Sequence, residues 1–329
     1  MENNILMKVE NLTKIFSSRT SLLGKEIKVY AVDGVNLDIY GGEVLAIVGE
    51  SGCGKTTLGK ILVGLVEPSS GNVLYKDKNL KEMKNEEFRM YRREVQIIHQ
   101  DPYAALNPVK TVSQTLGSVI KANEPGRKAN KVLERVKELL TIVGLTPPEE
   151  FINKYPHQLS GGQRQRIVIA RAIASNPKLI VADEAVSMID VPLRIGILNL
   201  LLKLKEEFNI SYFFITHDFG VARFFAKNNR VGVMYLGEII EIGSTEDIVK
   251  DPLHPYTKAL LSAVPVPDPD LTRARKVIPL KSLDIPSLDN IPEGCKFSDR
   301  CPYAIERCYK ERPALKHVSE NRSISCFLY

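Results

Sequence analysis

Eight consecutive residues, Gly49-Glu50-Ser51-Gly52-Cys53-Gly54-Lys55-Thr56, constrain this chain more than anything else in its 329 positions. They fit the eight-position phosphate-loop pattern without a mismatch. The flanks agree. The continuous apolar run at 44–48 reads as a strand buried on both faces, and 57–65, opening at Thr57, has a helical pattern. Glycines let backbone N–H groups curl around an anion, and the following helix N-terminus adds positive partial charge. In such a loop Lys55 reaches the β- and γ-phosphates of a nucleotide, and the Thr56 hydroxyl binds Mg²⁺. Cys53 reads as a loop filler, not a nucleophile.

The rest of the chain supplies a matching fold. Strands are expected at 7–12 and 35–39, with a turn at Gly41-Gly42. The stretch 76–143 is charged and mostly helical in period, broken by Pro102, Pro108 and Pro125. Beyond it come a helix at 163–174, a buried strand at 179–182, a helix at 191–207 and a strand at 212–215. This alternation predicts an α/β protein with a mixed, largely parallel sheet and helices on both faces. No apolar run reaches the roughly 18 residues of a membrane-spanning helix. The start, Met1-Glu2-Asn3-Asn4, lacks the basic and apolar regions of a secretory signal, so a cytoplasmic location is expected. A net charge of +6 without a dense basic block argues against a nucleic-acid partner.

Two further stretches complete a nucleotide site. The apolar run 179–182 ends in Asp183 and Glu184. An acid at a buried strand's end suits Mg²⁺ binding through water, which fits Asp183, and Glu184 is placed to orient and deprotonate an attacking water. His217, after the strand at 212–215, is a candidate for contact with the γ-phosphate.

Leu159-Ser160-Gly161-Gly162-Gln163-Arg164-Gln165-Arg166 resembles the signature motif of ATP-binding cassette (ABC) proteins, and it precedes the Asp183-Glu184 strand at the expected distance. The resemblance implies a P-loop NTPase fold of the ABC type, with a mixed sheet, an antiparallel β subdomain and a helical subdomain at about 100–175. It implies that Gln100 is the Q-loop glutamine, which couples Mg²⁺ to a transmembrane partner. Ser187-Met188-Ile189-Asp190 resembles the D-loop, and His217 the switch histidine. Phe16 matches the aromatic that stacks on adenine, with Tyr30 as the competing choice. In this family two cassettes meet head to tail, and ATP lies between the phosphate loop of one and the Ser160 signature of the other.

Three stretches narrow the resemblance to dipeptide/oligopeptide importers. Residues 100–108 are similar to that group's Q-loop extension, 251–260 to its hallmark just after the cassette, and 294–304 to its C-terminal cysteine segment. The wording at 31–35 and in the phosphate loop favours the F-type ATPase of a heterodimeric pair. The implied partners are a second ABC ATPase, two transmembrane permease subunits and an extracytoplasmic substrate-binding protein, with this chain peripheral on the cytoplasmic face of the membrane. Two departures leave the cargo open between peptides and oligosaccharides. Ala185 stands where proline usually follows the glutamate, and the D-loop is Ser187-Met188-Ile189-Asp190 with Pro192 close behind.

The proline-rich stretch 264–269 predicts a boundary between an ATP-binding domain at 1–263 and a small cysteine-rich C-terminal module at 264–329. Cys295, Cys301, Cys308 and Cys326 are spaced C-x5-C-x6-C-x17-C. Read from the residues alone, this is a four-thiolate metal site, stapling a tail too small to build a large core. Relatives resembling this chain bind a [4Fe–4S] cluster there, so iron–sulfur is expected first, zinc second and disulfides third.

Overall fold

The computed structural model describes residues 4–19, 26–264, 278–284, 286 and 291–329. The proline-rich boundary at 265–269 lies outside the described residues. In chain order the strands are β1 (Ile5–Arg19), β2 (Glu26–Tyr40), β3 (Val44–Val48), β4 (Ser70–Tyr75), β5 (Lys78–Asn79) and β6 (Val95–Ile98). They continue with β7 (Leu179–Asp183), β8 (Ser211–Thr216), β9 (Arg230–Tyr235), β10 (Glu238–Ser244), β11 (Lys316–Ser319) and β12 (Arg322–Ile324). The chain divides into two compact units.

The first unit comprises Met1–Asn4, Tyr40–Glu43 and Glu82–Ile215. Its strands β6, β7 and β8 pair in parallel, with Val95 opposite Leu179 and Leu179 opposite Ser211. Every residue of β7 and β8 is buried, which is why both read as unbroken apolar runs rather than alternating ones. Helices Val112–Asn123, Ala129–Ile142 and Gly161–Ile173 pack on one another. Leu116, Ile120, Val136, Leu139, Leu140 and Ile167 recur at helical spacing and are sealed from water.

The second unit comprises Ile5–Ile39, Val44–Lys81 and Thr216–Tyr329. One sheet has the order β2-β1-β4-β5. Its β1–β4 and β4–β5 pairs are antiparallel, and the register of β1 on β4 shifts between Glu10 and Thr13. Asn11, at that shift, has φ 45°, the left-handed backbone that asparagine tolerates in a bulge. The other sheet segment has the order β11-β12-β10-β9-β3. There β3 runs parallel to β9, while β9–β10, β10–β12 and β12–β11 are antiparallel. The mixed character expected of the sheet is therefore present, and the tail at 316–324 contributes two of its strands.

Periodicity did not predict β9, β10, β11 or β12. Only Leu236-Gly237 separates β9 from β10, too short a break to mark two strands, and Glu238 and Glu241 interrupt the apolar run without making it alternate. β12 buries an arginine and two other residues, a pattern that looks like surface until its partner is known.

Candidate functional site

The phosphate loop belongs to the second unit and is shaped by close backbone approach. Gly54 has φ 105° and caps the helix Lys55–Leu62. A side chain there would overlap the Ala31 carbonyl oxygen, and one at Gly49 would overlap the Met234 carbonyl oxygen. Only glycine fits either position. A loop pressed this tightly presents main chain, not side chain, to whatever it holds. Lys55 is 4% exposed, and its Nζ donates to the carbonyl oxygens of Gly49 and Glu50, each at 2.8 Å. Cys53 is buried beneath the loop. Burial pushes its thiol up and Lys55 only partly opposes this, so the sulfur stays protonated and inert. Ser51 and Gly52 form the turn of the loop, followed by Thr56 and Thr57 in the helix's first turn.

Phe16 lies on β1 and is 47% exposed, with Lys14 Nζ 5.2 Å from its ring centre. Tyr30, on β2, is 38% exposed. His217 is exposed in the turn after β8. Next to it Asp218 accepts from the N–H groups of Gly220 and Val221, capping the helix Phe219–Phe225.

The first unit holds the other candidates. Asp183 ends β7 and is 4% exposed. Glu184 follows in the left-handed region at φ 47°, a conformation a glutamate adopts only when its surroundings impose it. Its N–H donates to the Ile215 carbonyl at 3.0 Å, and its own carbonyl accepts from both the N–H and the hydroxyl of Ser187. Gln100 Nε2 donates to Glu184 Oε2 at 3.0 Å, so these two expected site residues meet directly. Ala185 is buried at the position where proline is usual.

Ser160 caps the helix Gly161–Ile173 through a reciprocal box: its hydroxyl accepts from the Gln163 N–H, and Gln163 Oε1 accepts from the Ser160 N–H. Among the described residues a side chain on Gly161 would meet nothing, and one on Gly162 would only touch Leu193. The signature thus offers sterically open, half-buried backbone at a helix N-terminus. Asp190 precedes the helix Val191–Phe208 and is exposed, as are Met188, Val191, Leu193 and Ile195.

The sequence profile described as "ABC transporter" matches residues 32–187, and that described as "Oligopeptide/dipeptide transporter, C-terminal region" matches 240–308. The oligopeptide transport ATP-binding protein OppF of Escherichia coli (strain K12) is 46% identical over 90% of this chain and 87% of its own length. The chain belongs to the ABC transporter family. The putative oligopeptide transport ATP-binding protein YkfD of Bacillus subtilis (strain 168) is 44% identical over 93% of this chain and 92% of its own. Among solved structures, the ATP-binding cassette MJ0796, dimeric in a post-hydrolysis state with ADP and Pi, superposes with a TM-score of 0.63. It is 32% identical over 73% of this chain and 98% of that one. The ABC-type α/β phosphate-loop fold, and ATP hydrolysis with Mg²⁺, follow from this membership.

One expectation about this ABC ATPase is overturned. Cys295, Cys301, Cys308 and Cys326 do not form a metal centre: among the described residues no group of three or more cysteine, histidine or acidic side chains is arranged to hold a metal ion. Neither the [4Fe–4S] cluster nor zinc is retained, and none of the four is in a disulfide. Burial pushes the Cys295 thiol up to about 12 and raises those of Cys301 and Cys326, so in the metal-free chain these thiols are neutral. A small tail does not need a metal staple when the neighbouring fold supplies its core and its ion-pair partners. The tail is fastened by other means, with Lys296 bonded to Asp33, Arg300 to Glu50, and Arg322 to Glu241. Phe297 also packs against Tyr235, Tyr256 and His254.

Arg300 and Tyr256 went unrecognised as neighbours of the phosphate loop. The 251–260 stretch that contains Tyr256 reads as a motif, but the Glu50 that Tyr256 contacts lies 206 residues away in sequence.

Proposed function

We propose that this chain is the ATP-hydrolysing subunit of an importer of di- and oligopeptides, working on the cytoplasmic face of the membrane. One observation carries the reading. Likeness to peptide-transport ATPases continues past the cassette through the C-terminal region at 240–308. The cargo does not touch this chain; two permease subunits and an extracytoplasmic binding protein select and carry it. A second ABC ATPase, in our reading the other member of a heterodimer, completes the engine. Among the described residues no helix is long and apolar enough to cross a membrane. The coupling in this reading runs through the permeases.

Each residue takes a specific role. The loop 49–56 wraps the triphosphate with backbone N–H groups, and Lys55 exchanges its internal carbonyl partners for the β- and γ-phosphates. The hydroxyl of Thr56, the carboxylate of Asp183 and the amide oxygen of Gln100 are hard oxygen donors that suit Mg²⁺, which neutralises charge on the β- and γ-phosphates. Glu184, steadied by the Gln100 amide, orients a water and takes its proton as the oxygen attacks the γ-phosphorus. The bond to the β–γ bridging oxygen breaks, leaving ADP and phosphate. His217 hydrogen-bonds the γ-phosphate, and Phe16 stacks on the adenine, with Tyr30 as the alternative face. Ser160, Gly161, Gly162 and Gln163 present their helix N-terminus to the nucleotide of the partner cassette, beside Asp190.

The assembled transporter tests this. Glu184→Gln is expected to lower kcat for ATP by about 100-fold or more, the usual worth of a general base, with MgATP affinity unchanged. Near wild-type turnover would remove Glu184 from the role. In the source organism, deleting this chain should abolish uptake of labelled di- and oligopeptides and spare oligosaccharide uptake. The reverse pattern would overturn the cargo.

A further inference from the structure

Glu50 is the sole acid in the loop 49–56, and it stands where a polyanion must bind. Left alone, its carboxylate would repel a triphosphate. It is not alone. Arg300, from the C-terminal tail, donates to it through both terminal guanidinium nitrogens, Nη1 to Oε2 at 2.8 Å and Nη2 to Oε1 at 2.9 Å. The Arg300 side chain is 4% exposed and that of Glu50 25%.

The same residue is gripped along its main chain. The Glu50 N–H donates to the Tyr256 hydroxyl at 2.9 Å, and the Glu50 carbonyl accepts from Lys55 Nζ at 2.8 Å. Arg300 in turn is seated over the rings of Tyr235 and Phe297, each 5.7 Å from the guanidinium carbon. Tyr235, Tyr256 and Phe297 pack mutually, with centroids 4.7–5.4 Å apart. A continuous set of contacts therefore runs from Lys55 through Glu50 to Arg300 and this aromatic cluster.

We propose that Arg300 is a positioning residue for nucleotide binding, which cancels the Glu50 charge and fixes the start of the phosphate loop. A fork-to-fork arginine–carboxylate pair holds an orientation that a point charge does not. The loop must keep its shape while Lys55 leaves the carbonyls of Gly49 and Glu50 for the phosphates. Anchoring Glu50 from outside the loop supplies that rigidity. The C-terminal tail thus becomes part of the ATP site's support, acting without touching the nucleotide. Among the described residues Arg300 needs no further acid for this role, since its remaining donors reach only the Ser282 carbonyl and the Tyr235 hydroxyl.

The inference rests on the reading that the loop 49–56 binds MgATP. Calorimetric titration of the full-length chain with MgATP separates the two. If the wild-type chain does not bind MgATP, the function reading fails before this one is reached. If it binds, Arg300→Met is expected to weaken binding by about tenfold or more, because a half-buried carboxylate is left unpaired beside the phosphates. In ATPase assays KM should rise while kcat changes little. Arg300→Lys should recover only part of the loss. Arg300→Met combined with Glu50→Gln should recover most of it, because no stranded charge remains. Equal Kd for wild type and Arg300→Met, with both folded by circular dichroism, overturns the proposal. So does a double variant no better than Arg300→Met, which would reduce Arg300 to a packing role.

Discussion

His254 is sealed in the second unit, and its ring Nδ1 accepts from the Tyr256 N–H at 3.1 Å, capping the helix Pro255–Ser262. An accepting nitrogen must be unprotonated. Burial, with Lys258 adding to it, pushes the imidazole down to about 3. In the unfolded chain the ring titrates near about 6.5. Protons therefore bind the unfolded chain first. The neutral ring's contribution to stability is complete above about pH 6.5 and is lost as pH falls toward 3, by up to about 1.4 kcal/mol per pH unit. Glu241, which accepts from the N–H groups of Leu253 and His254, holds the same backbone. Melting temperatures of wild type and His254→Asn between pH 7.5 and 4.5 check this. Asparagine keeps a cap acceptor without titrating, so its curve should fall less steeply. Parallel curves would show that protonation of this ring does not limit acid stability.

At the scale of elements, the helix Gly161–Ile173 depends on its first residue outside. Ser160→Ala removes the acceptor of the Gln163 N–H and should cost about 1 kcal/mol in denaturant unfolding. Ser160→Asp keeps the cap, and an acid there favours the helix N-terminus, so stability should return. Hydrolysis by the assembled transporter should stay low in both variants, because the aspartate brings negative charge to a phosphate-facing position. If Ser160→Asp restores both, the serine is only a cap. The helix itself was legible in the sequence because its signals are local: a cap, a glycine pair and an apolar stripe. The same holds for β3 and β7, where five buried residues in a row leave little else to fold into. The left-handed backbone at Glu184 was not legible, since it is imposed by Ile215 and Ser187 rather than by glycine. Nor was the attachment of the tail. Its cysteines were the conspicuous signal, while the residues that fasten it are ordinary lysine, arginine and phenylalanine whose partners lie up to 279 positions away.

At the scale of the whole chain, the tail is bound to the ATP-binding fold by charge. The Lys296 side chain is 2% exposed, and its Nζ reaches Asp33 at 2.8 Å, Glu238 at 3.1 Å and the Leu236 carbonyl at 2.7 Å. Arg312 bonds the same two acids from the more exposed side. For Asp33, burial alone would raise the carboxyl, but Lys296 and Arg312 together hold it below the usual carboxylate range. Its contribution is then present above that range and is lost as pH falls through the lowered value. For Glu238 burial outweighs the same two cations, and the carboxyl is raised. Lys296→Met leaves both acids with Arg312 alone. Breaking a buried pair from one side costs about 3–5 kcal/mol, and the partial cover by Arg312 places the expected loss near the lower end. Neutralising the acid as well reverses the logic. Lys296→Met with Glu238→Gln leaves one acid for one arginine, so the double variant should be more stable than Lys296→Met alone. Urea unfolding of the three proteins at pH 7 decides the matter. A double variant no more stable than Lys296→Met would show that Lys296 acts through packing of its stem, and that charge does not fasten the tail.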